Sequence, residues 1–272
     1  MIKVKYIRKF IIHYYLKYKR ELPWREENNC LQKPYNTLVS EIMLQQTRVD
    51  KVKTFYKKFI KKWPNITKLS NADISEVLTS WSGLGYYKRA INLHSTAKII
   101  VDKYNSAVPS DKKTLKTFPG IGEYTSSAIV SFAYGKHAII IDTNIRRFII
   151  RIFGLKDESN EKKIFNYAKL LFPQKETSSF AQGIMDFASN ICTKIKPRCD
   201  ACKLEKYCDY TGSKKSFIKK KKIIKSKRYC YSYFCFTKKH RVLLIKRPLS
   251  GMLAGLYEVP TSIWCIDDWP DN

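Results

Sequence analysis

The sequence predicts an all-α body over residues 1–208, followed by a short β-containing segment. Three observations carry this. Before Cys208, apolar residues recur at helical spacing in one segment after another. Short turns marked by Gly120, Gly122, Gly135, Gly154 and Pro173 separate those segments. Past Cys208 a lysine run gives way to β-branched and aromatic residues.

The elements follow in order. Val4, Ile7, Phe10 or Ile11, Tyr14 and Tyr18 predict a first helix. The same stretch lacks the unbroken apolar centre and cleavage site of a secretory signal. Being Lys-rich and Ser-free, it fits a transit peptide less well than a plain helix. Val49, Val52, Phe55, Tyr56, Phe59, Ile60 and Trp63 predict a helix that Pro64 ends. Ala90, Leu93, Ala97, Ile100 and Tyr104 predict another over 88–104. Helical patterns recur at 123–135, 144–153, 161–171 and 177–191. Ala138–Ile141 is a short apolar run that could form a strand. Lys214–Arg228 holds no acid and reads as a solvated linker, with a phosphate-tracking arm as its alternative. Tyr229–Phe236 and Arg241–Lys246 read as two strands around a turn.

Composition narrows the function. The 272 residues fit one large domain or two ordinary ones, and a hydrophobic fraction of 44% excludes a disordered basic tail. No apolar run approaches the roughly 18 residues of a membrane helix. Lys and Arg number 52 against 23 acids, a net charge of +29. That surplus fits nucleic acid first and an anionic membrane surface second. The plainer alternative is a Lys-biased proteome.

Eight cysteines are present, and with no secretory signal reduced thiols or a metal fit better than disulfides. Cys192, Cys199, Cys202 and Cys208 fall at the end of the last predicted helix. Structural zinc usually shows two C-x2-C pairs or His ligands. Only one such pair is here, and the uneven spacing suits an iron–sulfur cube better than one ion.

Phe118-Pro119-Gly120-Ile121-Gly122 joins two short helices through a Gly-rich turn. The free N–H groups of the second helix would suit a phosphate, which makes this a helix-hairpin-helix, a sequence-nonspecific grip on a DNA backbone. Asp142 follows an apolar run and precedes the helical pattern Ile145, Phe148, Ile149, Ile152. It is a helix cap, a catalytic acid, or both. Glu41 lies among apolar residues, where its pKa could rise enough to carry a proton at neutral pH. A plain helix start at Ser40 or Glu41 is the alternative.

Taken together, these stretches resemble the MutY-type adenine DNA glycosylases of the helix-hairpin-helix superfamily, whose other members include endonuclease III. The match runs from about Leu22 to Pro260. Its signatures are LPWR (22–25), PY (34–35), SEIMLQQTRV (40–49), WSGLGYYKRAINLH (81–94), FPGIGEYTSSAI (118–129), IDTNIRR (141–147), MDFASNIC (185–192), the four cysteines and KRPLSGMLAGLYEVP (246–260).

The resemblance implies a two-lobed core over 1–208, a barrel lobe at about 28–133 and a cluster lobe at about 1–27 plus 134–208. A basic linker would follow at 209–228, then a partial NUDIX-like domain over 229–272. It implies that Glu41 protonates a flipped adenine, that Asp142 stabilises the oxocarbenium-like sugar, and that Asn144 orients the site. Tyr124 stands where endonuclease III relatives carry a nucleophilic Lys, which argues for a monofunctional glycosylase that leaves an abasic site. Gln45, Gln46, Thr47, Leu84 and Tyr86 would touch the duplex, with Gln46 and Tyr86 as wedges. Gly120 and Gly122 would serve the hairpin grip. Asp186 would anchor the domain or the active-site network.

The four cysteines would hold a [4Fe-4S] cluster. The substrate would be double-stranded DNA with adenine opposite 8-oxoguanine or guanine, bound by a cytoplasmic, nucleoid-associated monomer with no membrane partner. The later part of the NUDIX-like domain has no counterpart here, which puts recognition of 8-oxoguanine in doubt. The alternatives are an endonuclease III-like glycosylase/lyase for oxidised pyrimidines, and a DNA-binding protein that has lost turnover.

Overall fold

The computed structural model describes residues 2–26, 32–157, 160–210, 226–251, 253–266 and 269. Residues 214–225 of the basic run, and Cys30, lie outside the described residues.

Eleven α-helices span the described part of the body: α1 (Ile2–Tyr18), α2 (Lys33–Leu44), α3 (Val49–Lys62), α4 (Ile66–Ser70), α5 (Ile74–Ser80), α6 (Lys88–Lys103), α7 (Lys112–Leu115), α8 (Glu123–Tyr134), α9 (Thr143–Ile152), α10 (Glu161–Leu171) and α11 (Thr177–Asn190). The all-α expectation for the body therefore holds, and α10 matches its predicted span. Side chains start several helices: Asn65, Asp73, Asp111, Asp142 and Asn160 each accept a backbone N–H at the cap, worth about 1 kcal/mol apiece. Ala138–Ile141 is not a strand; Ile140 is buried and the run leads straight into the Asp142 cap.

The chain divides into two compact units. One comprises residues 1–72 and 92–213, the other 73–91 and 214–272, with the division falling inside α6.

In the first unit α1 lies along α11, α2 along α8, and α9 against α11. Phe187 is the aromatic hub of this packing. Phe10, Tyr14 and Phe148 meet its ring edge-on, at 5.7, 5.2 and 6.0 Å between centroids. Gly183 lets α1 and α11 approach; a Cβ there would lie 2.8 Å from the Ile11 carbonyl oxygen. The central pair, α2 and α8, is buried on nearly every side, from Thr37 to Met43 and from Thr125 to Ser131.

In the second unit the strands are short. β1 (Arg228–Tyr229) pairs antiparallel with β4 (Cys265–Ile266), and β2 (Ile245–Lys246) with β3 (Tyr257–Glu258). The expected turn between residues 237 and 241 is present, closed by the Phe236–Val242 bridge. However, the strands it joins are far shorter than predicted, and β1 and β2 pair with later segments and not with each other. Gly255 packs on Leu78 of α5, where a Cβ would come within 2.7 Å of Leu78 Cδ1. No helix among the described residues is long and apolar enough to cross a membrane.

Candidate active site

Three elements of the first unit bring Glu41, Tyr124 and Asp142 into one electrostatic neighbourhood. Glu41 sits in the middle of α2, not at its start, and is 5% exposed. Tyr124 lies in the first turn of α8 and donates its hydroxyl hydrogen bond to Glu41. Burial pushes the Glu41 carboxyl up to about 7, and the nearby Asp142 charge adds to this. The Tyr124 hydrogen bond and Arg25 pull it the other way. Glu41 Oε2 is buried without a hydrogen-bond partner. The same burial, with Glu41 and Asp142 beside it, holds the Tyr124 phenol protonated well past its ordinary range.

Asp142 is both a helix cap and a poised carboxylate. Its Oδ1 accepts the Ile145 N–H at 2.6 Å, and its Oδ2 accepts from Asn144 Nδ2 at 2.9 Å. Burial raises its pKa, while those hydrogen bonds and Arg147 work to lower it. Asn144 is held in turn: its Oδ1 accepts from Arg147 Nη2 at 3.0 Å. Arg147 also donates to the Ala188 carbonyl at 2.8 Å and the Cys192 carbonyl at 3.0 Å. One hydrogen-bonded chain thus links Asp142 to the first cysteine of the cluster loop.

Glu41 lines a cavity of about 330 Å³ with Leu22, Trp24, Arg20, Arg25 and Leu44. Asp186, 2% exposed, fixes both arginines there. Arg20 Nε meets Asp186 Oδ1 at 2.6 Å, and Arg25 Nη1 meets Oδ2 at 2.7 Å. A carboxyl that can carry a proton at neutral pH and a second carboxylate anchored at a helix N-terminus are the parts an acid-assisted glycosidic cleavage needs.

The hairpin forms as expected between α7 and α8. Gly120 has φ 76°, and a Cβ on it would meet the Asn92 side chain at 2.8 Å. Gly122 caps α8 without any side-chain cap. Glu123, in the first turn of α8, is paired with Lys112 and Lys116. Gln45 ties the end of α2 to this turn, donating to the Gly120 carbonyl at 3.2 Å and to Thr125 Oγ1 at 3.3 Å. Gln46 is exposed in a left-handed conformation, and Thr47, half-buried, turns back toward the Gln45 carbonyl.

In the second unit Gly83 and Gly85 both have positive φ. The two residues of this loop expected to touch the duplex differ in exposure. Tyr86 is 61% exposed, whereas Leu84 is buried at 4%, so the loop offers only the tyrosine ring outward. Arg89, whose guanidinium lies 5.5 Å from the Tyr86 ring centroid, backs that ring and donates to the Gly85 carbonyl at 2.9 Å.

Cys192, Cys199, Cys202 and Cys208 line one cavity of about 110 Å³ with Arg151 and Tyr210. Among the described residues, no three His, Cys, Asp or Glu side chains are grouped closely enough to hold a single metal ion. Arg151, 2% exposed, donates to the Cys192 sulfur at 3.3 Å and to the Thr193 and Lys194 carbonyls at 2.6 and 3.0 Å. Burial raises the Cys202 thiol to about 11, and the other cysteines add to it. Arg20, Arg25, Arg147 and Arg151 escaped the sequence reading as site residues. In a chain this rich in Lys and Arg, only the strings LPWR, which holds Arg25, and IRR beside Asp142, which holds Arg147, hinted at any of them.

Comparison with known proteins bears on the family and the fold. Residues 39–174 match the HhH-GPD superfamily base excision DNA repair protein family. The adenine DNA glycosylase of Buchnera aphidicola subsp. Baizongia pistaciae is 36% identical over 261 residues, covering 93% of this chain and 73% of that protein. Its counterpart from Buchnera aphidicola subsp. Acyrthosiphon pisum is 40% identical over 210 residues, covering 75% of this chain and 59% of its own length. Among solved structures, a thermostable thymine-DNA glycosylase superposes with a TM-score of 0.70 at 32% identity, covering 76% of this chain and 96% of that one. A non-covalent endonuclease III–DNA complex shares the fold, with a TM-score of 0.63 at 23% identity, covering 76% of this chain and 95% of that one.

Proposed function

We propose that this chain, which belongs to the HhH-GPD superfamily of base excision DNA repair proteins, is an adenine DNA glycosylase acting on mispaired duplex DNA. The observation that carries the reading is the buried Glu41 carboxyl, held at about 7 beside Tyr124 and Asp142. Glu41 gives its proton to the departing adenine. The glycosidic electron pair leaves with the base, and Asp142 stabilises the cationic sugar. Water then adds to the sugar carbon and loses a proton, leaving an abasic site. Asn144, locked by Arg147, orients Asp142. The cavity beside Glu41 receives the flipped adenine, with Trp24 and Leu22 supplying apolar wall.

Duplex contact falls to Gln46, Tyr86 and the backbone at Gly120 and Gly122. Gln45 acts by holding the hairpin against α2, and Thr47 and Leu84 by shaping their loops. The mispairs are adenine opposite 8-oxoguanine or guanine. Residues 229–272, which follow the 1–208 core in sequence, belong to a NUDIX-like segment.

The four cysteines fit a [4Fe-4S] cluster. They surround one cavity with a buried guanidinium in place to balance the negative charge of thiolates. When bound, the cluster would tie residues 192–208 together and supply a redox-active centre.

Single-turnover adenine release tests the reading. Asp142→Asn should abolish release while duplex binding persists. Borohydride should trap no covalent adduct, because position 124 carries a phenol and not an amine. A high adduct yield would favour a glycosylase/lyase instead.

A further inference from the structure

The first unit holds a second cavity, of about 270 Å³, that shares no lining residue with the Glu41 cavity. Its floor is a run of rings. Phe10 and Tyr14 of α1 meet Phe187 of α11 edge-on, and Tyr18 extends the run at 5.2 Å from Tyr14. Its rim is basic. Lys17 and Lys203 both line it, and the Lys17 ammonium sits 5.4 Å from the Tyr18 ring centroid. No Asp or Glu lines the cavity. Neither lysine forms an ion pair among the described residues. Tyr18 is 55% exposed, so a ring face is open to a ligand.

These features select a ligand. A ring floor binds a flat aromatic group, and stacking of one base on aromatic side chains is worth roughly 1–3 kcal/mol. Two ammoniums without carboxylate partners select an anion within reach of that ring, and the absence of lining acids removes the repulsion it would meet. The cavity lies near the lower end of small-ligand pockets, large enough for one base with its phosphate.

We propose that this cavity is a nucleotide site, with the base on the Tyr14–Tyr18 face and the phosphate between Lys17 and Lys203. The nucleotide is either free or the terminal unit of a single strand. This site does not rest on the glycosylase reading.

The test is calorimetric titration of the full chain with dTMP, thymidine and inorganic phosphate in separate experiments. The pyrimidine probe avoids binding in a purine-selective Glu41 cavity. dTMP should bind about tenfold or more tightly than thymidine or phosphate alone. Lys17→Glu and Tyr18→Ala should each weaken dTMP about tenfold; both residues are exposed, so neither change opens the core. Adenine release from duplex should be unchanged in both variants. A 5′-phosphorylated dT tetramer that binds more tightly than dTMP, and loses that gain in the variants, assigns the site to single strands. Equal affinity assigns it to the free nucleotide. Absence of heat at millimolar dTMP, or binding that neither variant weakens, would overturn the proposal.

Discussion

Replacing Glu41 with Gln should change stability in a pH-dependent way that no surface substitution can imitate. A carboxyl held at about 7 keeps its proton in the folded state after the unfolded chain, near 4.5, has lost its own. Because the folded pKa is raised, folding loses stability as pH climbs from about 4.5, and the loss is complete above about 7. Its full size is about 3 kcal/mol, since each pH unit between the two states is worth about 1.4 kcal/mol. Between about pH 5 and pH 8.5 the parent should therefore lose about 2–3 kcal/mol that Glu41→Gln does not lose. Any fixed cost of burying the amide is the same at both pH values and drops out of the comparison. Thermal unfolding of the two proteins at each pH reads the effect as a change of roughly 5–10 °C in their Tm difference. The same proton is the one adenine release consumes, so the parent's single-turnover rate should fall above about pH 7 and the variant's should be lost at all pH values. If the Tm difference stays constant across this range, Glu41 ionises like an exposed carboxyl and the assignment of the proton donor fails.

Three further outcomes follow from the geometry. Gly183→Ala should cost about 1–3 kcal/mol, measured by denaturant unfolding, because its Cβ meets the Ile11 backbone and cannot be relieved by a side-chain rotation. Arg147→Leu removes the donor that holds Asn144 and two carbonyls, so adenine release should slow about tenfold or more while duplex affinity holds. The purified chain should be brown and carry four irons, with one zinc per chain as the result that would overturn the cluster.

What the sequence disclosed depended on whether a residue's role leaves a local pattern. α3 was legible because Val52, Tyr56 and Phe59 face the core while exposed lysines fill the other side. Its neighbour α2 was not, because it is buried on nearly every side and has no polar face to set the period. The same burial made Ser40 and Glu41 look like a helix start and gave Glu41 its raised pKa. Asp142 was legible because a cap must precede the periodic run it starts. The four cysteines were legible by spacing, since a shared centre constrains the loop between them. Asp186 was named as an anchor, but its partners Arg20 and Arg25 were opaque: the contacts span 166 and 161 residues, and arginine is unremarkable in a chain of net charge +29. The burial of Leu84 was unreadable for a related reason. Two flanking glycines announce a tight loop, but which side chain the loop turns inward depends on packing that the string does not encode. The charge itself divides in the same manner. Part of it is used at defined sites, where Arg147 and Arg151 bind carbonyls and a sulfur at the cluster loop, and those are the cations that net charge alone says nothing about.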